Sequence, residues 1–242
     1  MLTVPDSDIP AAAAEASYVI STLAFRFLVA IDIEDFSKLS VAEQARSHDD
    51  LEYAMSKAAA SAALDRKLWY RQPRGDGELA VLHADADGPS LVADYPRSLA
   101  SALAEINRSP NRCSRLRVRV AIHHGTVYPG QFGPVGSGPI TVSRLVDAPV
   151  LRKMLKQRPD LDIALIVSAA VYNEVVQTLF HELDPKMFHR TNITIKQIRY
   201  VGYLHFTDLG FRDGPGDRSC GQHARFAGYG RAGTQVPAGS PG

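Results

Sequence analysis

The chain is poor in cysteine: of its 242 residues only Cys113 and Cys220 carry a thiol, and they stand far apart. A disulfide framework is excluded, as is the paired spacing of a structural zinc site. Charge of one sign is lacking too, since 27 basic and 26 acidic residues leave a net charge of +1. That excludes a broad electrostatic attraction to nucleic acid or to an anionic membrane surface. No apolar run approaches bilayer-spanning length, and there is no internal repeat. The N-terminus holds Asp6, Asp8 and Glu15 with no basic residue before Arg26, the wrong charge for a secretory leader. A cytoplasmic protein with neither a membrane nor a nucleic acid as partner is the expectation.

What is present is an ordinary globular composition, 45% hydrophobic and 22% charged, in a length suited to one large domain. Residues 1–20 read as a loose lead-in and 21–209 as the domain. Residues 210–242 read as a disordered Gly/Pro-rich tail, with too few apolar side chains to offset the entropy of ordering.

The informative stretch is FRFLVAIDIEDFSKL, beginning at Phe25. Leu28 to Ile31 form a β-branched, uncharged run that reads as a buried strand, and Asp32 is the first residue after it that can ionise. A carboxylate there is costly unless a cation, a donor or water meets it, so Asp32 needs a partner. Further on, Gly75-Asp76-Gly77 is a hairpin signal, followed by the apolar returning strand Leu79 to Leu82. Antiparallel pairing of the two strands would bring Asp32 to face Asp76, an oxygen site suited to Mg²⁺ or Mn²⁺. Taken singly, Asp32 can instead cap the following turn, and Asp76 can simply occupy a tight hairpin.

Elsewhere, Ser40 with Glu43 three residues on is a capping-box pattern opening a long helical signal to Leu68. A second helix is expected over 90–108 and a strand with one buried face over 116–122, its Arg117 and Arg119 alternating with Val118 and Val120. The Gly- and Pro-rich residues 123–138 read as a loop. A helix follows over 142–156 with Pro149 inside it, then a strand over 161–167, a helix over 169–179, and a final hairpin of strands 191–198 and 200–207. His123 and His124, adjacent on a strand, point to opposite faces and cannot share one ion. Trp69 and Tyr70 read as core or interface rather than as a base-stacking platform.

AIDIEDFS and RGDGELAVL together resemble the two metal-binding segments of the class III nucleotidyl cyclase catalytic domain. LRVRVAIHHGTV is similar to that family's Arg-x-x-x-His-x-Gly strand, and ITVSRLVDAP to the start of its helix bearing a catalytic Arg. The resemblance runs from about Phe25 to about Leu209, and the ordered set carries it rather than any one motif. It implies an α+β, ferredoxin-like fold with a mixed, mainly antiparallel sheet and helices packed on one face. It also implies a homodimer in which one subunit supplies Asp32 and Asp76 and the other Arg144 and Lys196.

On that resemblance, Asp32, Asp76 and the Ile33 carbonyl hold two Mg²⁺ or Mn²⁺ ions. Arg144 meets transition-state charge, and Lys196 the terminal phosphates of a nucleoside triphosphate. Two places depart from the family. Ile140 stands where an Asn positions the ribose, with Thr141 beside it, and Gln72 stands where a Lys reads adenine. The segment before Arg144 looks short, without the hairpin that carries the other base reader. A smaller base, read by Gln72, Arg74 and Tyr128, fits these changes. The expectation is therefore a cyclase leaning to cUMP or cCMP, of the kind used in bacterial antiphage signalling. The alternative is a catalytically silent dimer that binds a nucleotide or a partner.

Overall fold

A computed structural model describes residues 22–109, 114–195 and 197–205. The expected lead-in, the tail and Lys196 lie outside them. The strands are β1 (Ala24–Ile33), β2 (Tyr70–Arg74), β3 (Gly77–Val81), β4 (Val118–Gly130), β5 (Gly133–Val135), β6 (Ile163–Ser168), β7 (Phe188–Ile195) and β8 (Ile198–His205). They form one sheet in the order β2-β3-β1-β4-β6-β8-β7, with β5 on the end of β4. Among the described strands only β4 and β6 run parallel. The mixed, mainly antiparallel sheet with packed helices is the α+β class expected.

The helices are α1 (Val41–Ser61), α2 (Tyr95–Asn107), α3 (Ser137–Val146), α4 (Pro149–Gln157) and α5 (Ala169–Glu174). They cover both faces of the sheet, not one. Val29, Ile31 and Ile33 of β1 join Leu51 and Met55 of α1 and Leu99 and Leu103 of α2. Leu28 and Ala30 join Leu145 of α3 and Leu151 and Leu155 of α4. A strand buried on both faces reads as a continuous apolar run, which is why β1 does not alternate.

The capping box is present: the Ser40 hydroxyl accepts from Glu43 N–H while Glu43 Oε2 accepts from Ser40 N–H at 2.9 Å. The helix stops at Ser61 rather than Leu68, and Ala63 turns the chain with φ 55°. The single helix expected over 142–156 is two. Pro149 opens α4, where its missing N–H is harmless, instead of lying inside a helix it would break. Residues 123–130, expected as loop, extend β4, because Ala24 to Leu28 of β1 pair with them. A short hairpin follows, Tyr128 opposite Val135 and Gly130 opposite Gly133, so that segment was not lost. Gly133, at φ 117°, makes its turn.

Gly77 lies directly opposite Asp32, and a Cβ added there would meet the Ile31 carbonyl oxygen at 1.9 Å. Only glycine lets β3 approach β1 this closely. Gly77→Ala is expected to cost about 3 kcal/mol of stability as the backbones part, read as a lowered urea midpoint. A midpoint equal to the parent's would show that the strands do not need this approach.

Candidate active site

Asp32 is the last residue but one of β1, with its side chain buried, in register with Gly77 of β3 and Arg119 of β4. Its partner is Arg119, whose Nη2 lies 2.7 Å from Oδ2. The other oxygen, Oδ1, is buried and accepts no hydrogen bond. Burial lifts the carboxyl's pKa to about 7 against the pull of Arg119, and the charges of Asp76 and Asp147 push it the same way. With its other oxygen unmet, this buried carboxyl has room for a further cation or donor beside Arg119.

The Gly-Asp turn is fastened beside it. Ile33 N–H donates to the Asp76 carbonyl at 2.7 Å, which sets the turn against the last residue of β1. His48 of α1 reaches the Gly75 carbonyl through Nε2 at 3.0 Å and stacks on Phe36, ring centroids 4.8 Å apart. Because a carbonyl only accepts, this contact fixes the proton on Nε2. The Asp76 side chain is half-buried. Among the described residues no group of three or more His, Cys, Asp or Glu side chains is placed to hold a metal ion. A metal here would rest on Asp32, Asp76 and backbone oxygen, and the unmet Asp32 Oδ1 fits that donor set.

The acids that follow Asp32 are engaged elsewhere. Glu34 pairs with Arg117 at 3.0 Å, and Asp35, at φ 57°, pairs with Lys38 at 2.8 Å. They leave Asp32 to itself.

Gln72 of β2 donates through Nε2 to the Phe132 carbonyl at 3.2 Å, closing β2 onto the tip of the β4–β5 hairpin. Arg74 donates to the Ser143 hydroxyl at 3.0 Å, tying β2 to α3 beside Arg144. Tyr128 is exposed on the hairpin, while Thr141 and Arg144 are partly buried on α3. Ile140 is 56% exposed, presenting an apolar side chain to solvent on the same helix. The fold thus gathers two sets, Asp32 with Asp76, and Gln72 with the hairpin. No ion pair among the described residues joins Arg144 to either carboxylate.

The two adjacent histidines do separate. His123 is partly buried and burial lowers its pKa to about 4, so it is neutral. His124 contacts Glu174 at 2.6 Å and stacks on Phe27. Trp69 lies in the core against Tyr95.

Arg119 lies on the strand face expected to be wet. It is 8% exposed, buried because α3 and α4 cover that face. The usable signal was the demand of Asp32 for a cation on a neighbouring strand. His48 left no comparable signal, since its contact with Gly75 depends on tertiary packing alone.

No protein-family model matches the sequence, and no curated protein does. Solved structures match it by fold. A guanylyl cyclase, Cya2, superposes with TM-score 0.55 at 14% identity over 77% of this chain and 93% of that one. An adenylate/guanylate cyclase/hydrolase from Silicibacter pomeroyi gives 0.56 at 16% over 78% and 99%. A bacterial light-regulated adenylyl cyclase gives 0.51 at 16% over 76% and 91%. The chain has the fold of these catalytic domains.

Proposed function

We propose, from a fold shared with nucleotidyl cyclase domains and from the carboxylate pair it positions, that this protein is a metal-dependent nucleotidyl cyclase. The carrying observation is the buried, unmet Oδ1 of Asp32 beside the fastened Asp76 turn. In the reaction the ribose 3′-oxygen bonds to the α-phosphorus of a nucleoside triphosphate. The bond from that phosphorus to the β-phosphate oxygen breaks, pyrophosphate leaves, and the 3′-hydroxyl loses its proton.

Asp32, Asp76 and the Ile33 carbonyl would hold Mg²⁺ or Mn²⁺, two ions per site, which when bound acidify the 3′-hydroxyl and neutralise the phosphates. The chain's own part is to orient and to meet charge. Arg144 offers a planar, always-charged fork to the phosphate oxygens, and Lys196 offers a point charge to their far end. Two copies related by a two-fold axis would build each site, one giving the carboxylates and the other Arg144 and Lys196. Thr141 offers a hydroxyl to the ribose where Ile140 cannot.

The base is read as a pyrimidine, with Gln72 and Tyr128 at the hairpin as its readers. The supporting contact is that between Gln72 and the Phe132 carbonyl, which holds Gln72 at the tip of the hairpin that carries Tyr128. The product, cUMP or cCMP, would then serve as a second messenger in bacterial antiphage signalling, a role supported by family resemblance. A second reading, a silent dimer that holds a triphosphate unchanged, is favoured by the exposed Ile140.

Incubating the purified protein with Mn²⁺ and each of ATP, GTP, CTP and UTP, with products resolved by mass spectrometry, separates the two. A cyclic product from UTP or CTP is expected. A folded dimer that leaves all four triphosphates intact over hours would establish the silent module instead.

A further inference from the structure

One side chain outside the carboxylate pair touches both of the segments that carry it. His48 lies on α1, and its Nε2 donates to the Gly75 carbonyl at 3.0 Å, at the residue before Asp76. Its ring also stacks on Phe36, centroids 4.8 Å apart and planes 16° apart, in the turn that follows the end of β1. The two segments are remote in sequence, and the pairing of β1 with β3 stops at Asp32 and Gly77. Past that register the bond from Ile33 N–H to the Asp76 carbonyl is what continues the ladder, and His48 stands behind it.

Helix α1 is seated to do this. The capping box at Ser40 fixes its first turn. One turn later Gln44 donates through Nε2 to the Leu39 carbonyl at 3.1 Å and to the Phe36 carbonyl at 3.4 Å, which holds the turn bearing Phe36 against the helix. His48 follows Gln44 by four residues and so lies on the same face. Phe36 packs against the core, which gives the His48 ring a fixed floor. His48 itself is exposed and buries little, so what it supplies is its two contacts.

We propose that His48 is a positioning residue: by holding the Gly75 carbonyl and the Phe36 ring at once, it sets the separation of Asp32 and Asp76 and with it the affinity of the pair for a divalent cation. Mg²⁺ demands oxygens at about 2.1 Å, so a drift of the turn by about 1 Å takes Asp76 out of reach. The inference rests on the metal-dependent cyclase reading and adds to it a residue of α1 that lies outside the proposed donor set.

The test compares His48→Leu, which keeps an apolar group over Phe36 and a good helix former but donates nothing, with His48→Gln, which restores a donor. Mn²⁺ binding to the full chain, without nucleotide, is read from the electron paramagnetic resonance signal of free Mn²⁺. His48→Leu is expected to bind about tenfold more weakly, the usual cost of losing a group that orients a ligand, and His48→Gln to recover to within about threefold of the parent. In metal-free buffer the Ile33 amide should exchange its hydrogen about tenfold faster in His48→Leu, and at the parental rate in His48→Gln. Circular dichroism keeps the variants comparable. No Mn²⁺ uptake by the folded parent, parental affinity or parental Ile33 exchange in His48→Leu, or a His48→Gln no better than His48→Leu overturns the positioning role.

Turnover separates this from the reading beneath it. If a cyclic product forms and His48→Leu makes it with no greater need for Mn²⁺ than the parent, the positioning role is wrong and the cyclase stands. If Mn²⁺ affinity and Ile33 exchange both follow His48 while no triphosphate is cyclised, the positioning role stands and the cyclase falls.

Discussion

On the proposed function, Asp76→Asn is expected to lower cyclic-nucleotide formation by about a thousandfold or more, the scale of several kcal/mol of lost charge stabilisation at the reacting phosphate. The fold should not notice. The Asp76 side chain is half-buried, and what fastens its turn is backbone, through the Asp76 and Gly75 carbonyls. The melting temperature is therefore expected within about 2 °C of the parent's, as for a surface substitution in a domain of this size. Asp32 is the poorer position to test, because removing its carboxylate leaves Arg119 buried with no counter-charge. A lost activity there would confound chemistry with folding. Product formation by Asp76→Asn at the parental rate would remove the carboxylate pair from the mechanism.

Arg66→Met is expected to have the largest effect on stability, a loss of about 3–5 kcal/mol in urea denaturation. Arg66 and Glu78 form a buried pair, Nη1 to Oε1 at 2.7 Å and Nη2 to Oε2 at 3.0 Å, with Glu52 adding a contact of 2.6 Å from outside. Glu78 sits two residues beyond Asp76, on the strand that carries the Gly-Asp turn. Stripped of Arg66, its carboxylate would stay buried and uncompensated. The double variant Arg66→Met/Glu78→Leu should recover most of the loss, since two apolar groups leave no charge in the interior. A single variant that loses under about 1 kcal/mol would mean that Glu78 reaches water or another cation.

Much of the site's first layer was legible because local signals agreed. A run without charge ended at Asp32, a Gly-Asp-Gly turn preceded a second apolar run, and the antiparallel register of β1 and β3 follows from the two. The capping box at Ser40 was legible for the same reason. What was not legible depended on non-local covering. Arginines alternating with valines look alike on a wet face and on a face roofed by α3 and α4, so Arg119 passed for a solvated side chain. The far half of β4 was hidden by its glycines and prolines, which signal turns locally. Its pairing with β1 overrides that signal. Gly125 within it faces the His123 ring, where a Cβ would come within 2.4 Å of Nε2, so this glycine marks close packing and not a bend.

The two ends of the sheet are not equivalent. Strand β2 forms one end, five residues long, with Arg71, Pro73 and Arg74 among them. Proline has no N–H to offer an incoming strand, so this short margin is disfavoured for strand addition. Strand β7 forms the other end, eight residues long without a proline. Among the described residues no strand pairs with the outer edge of β7, so growth of the sheet by an added extended segment at high concentration is expected at β7 rather than at β2. Two copies meeting β2 to β2 would have to associate through side chains, not through a continuous hydrogen-bonded sheet.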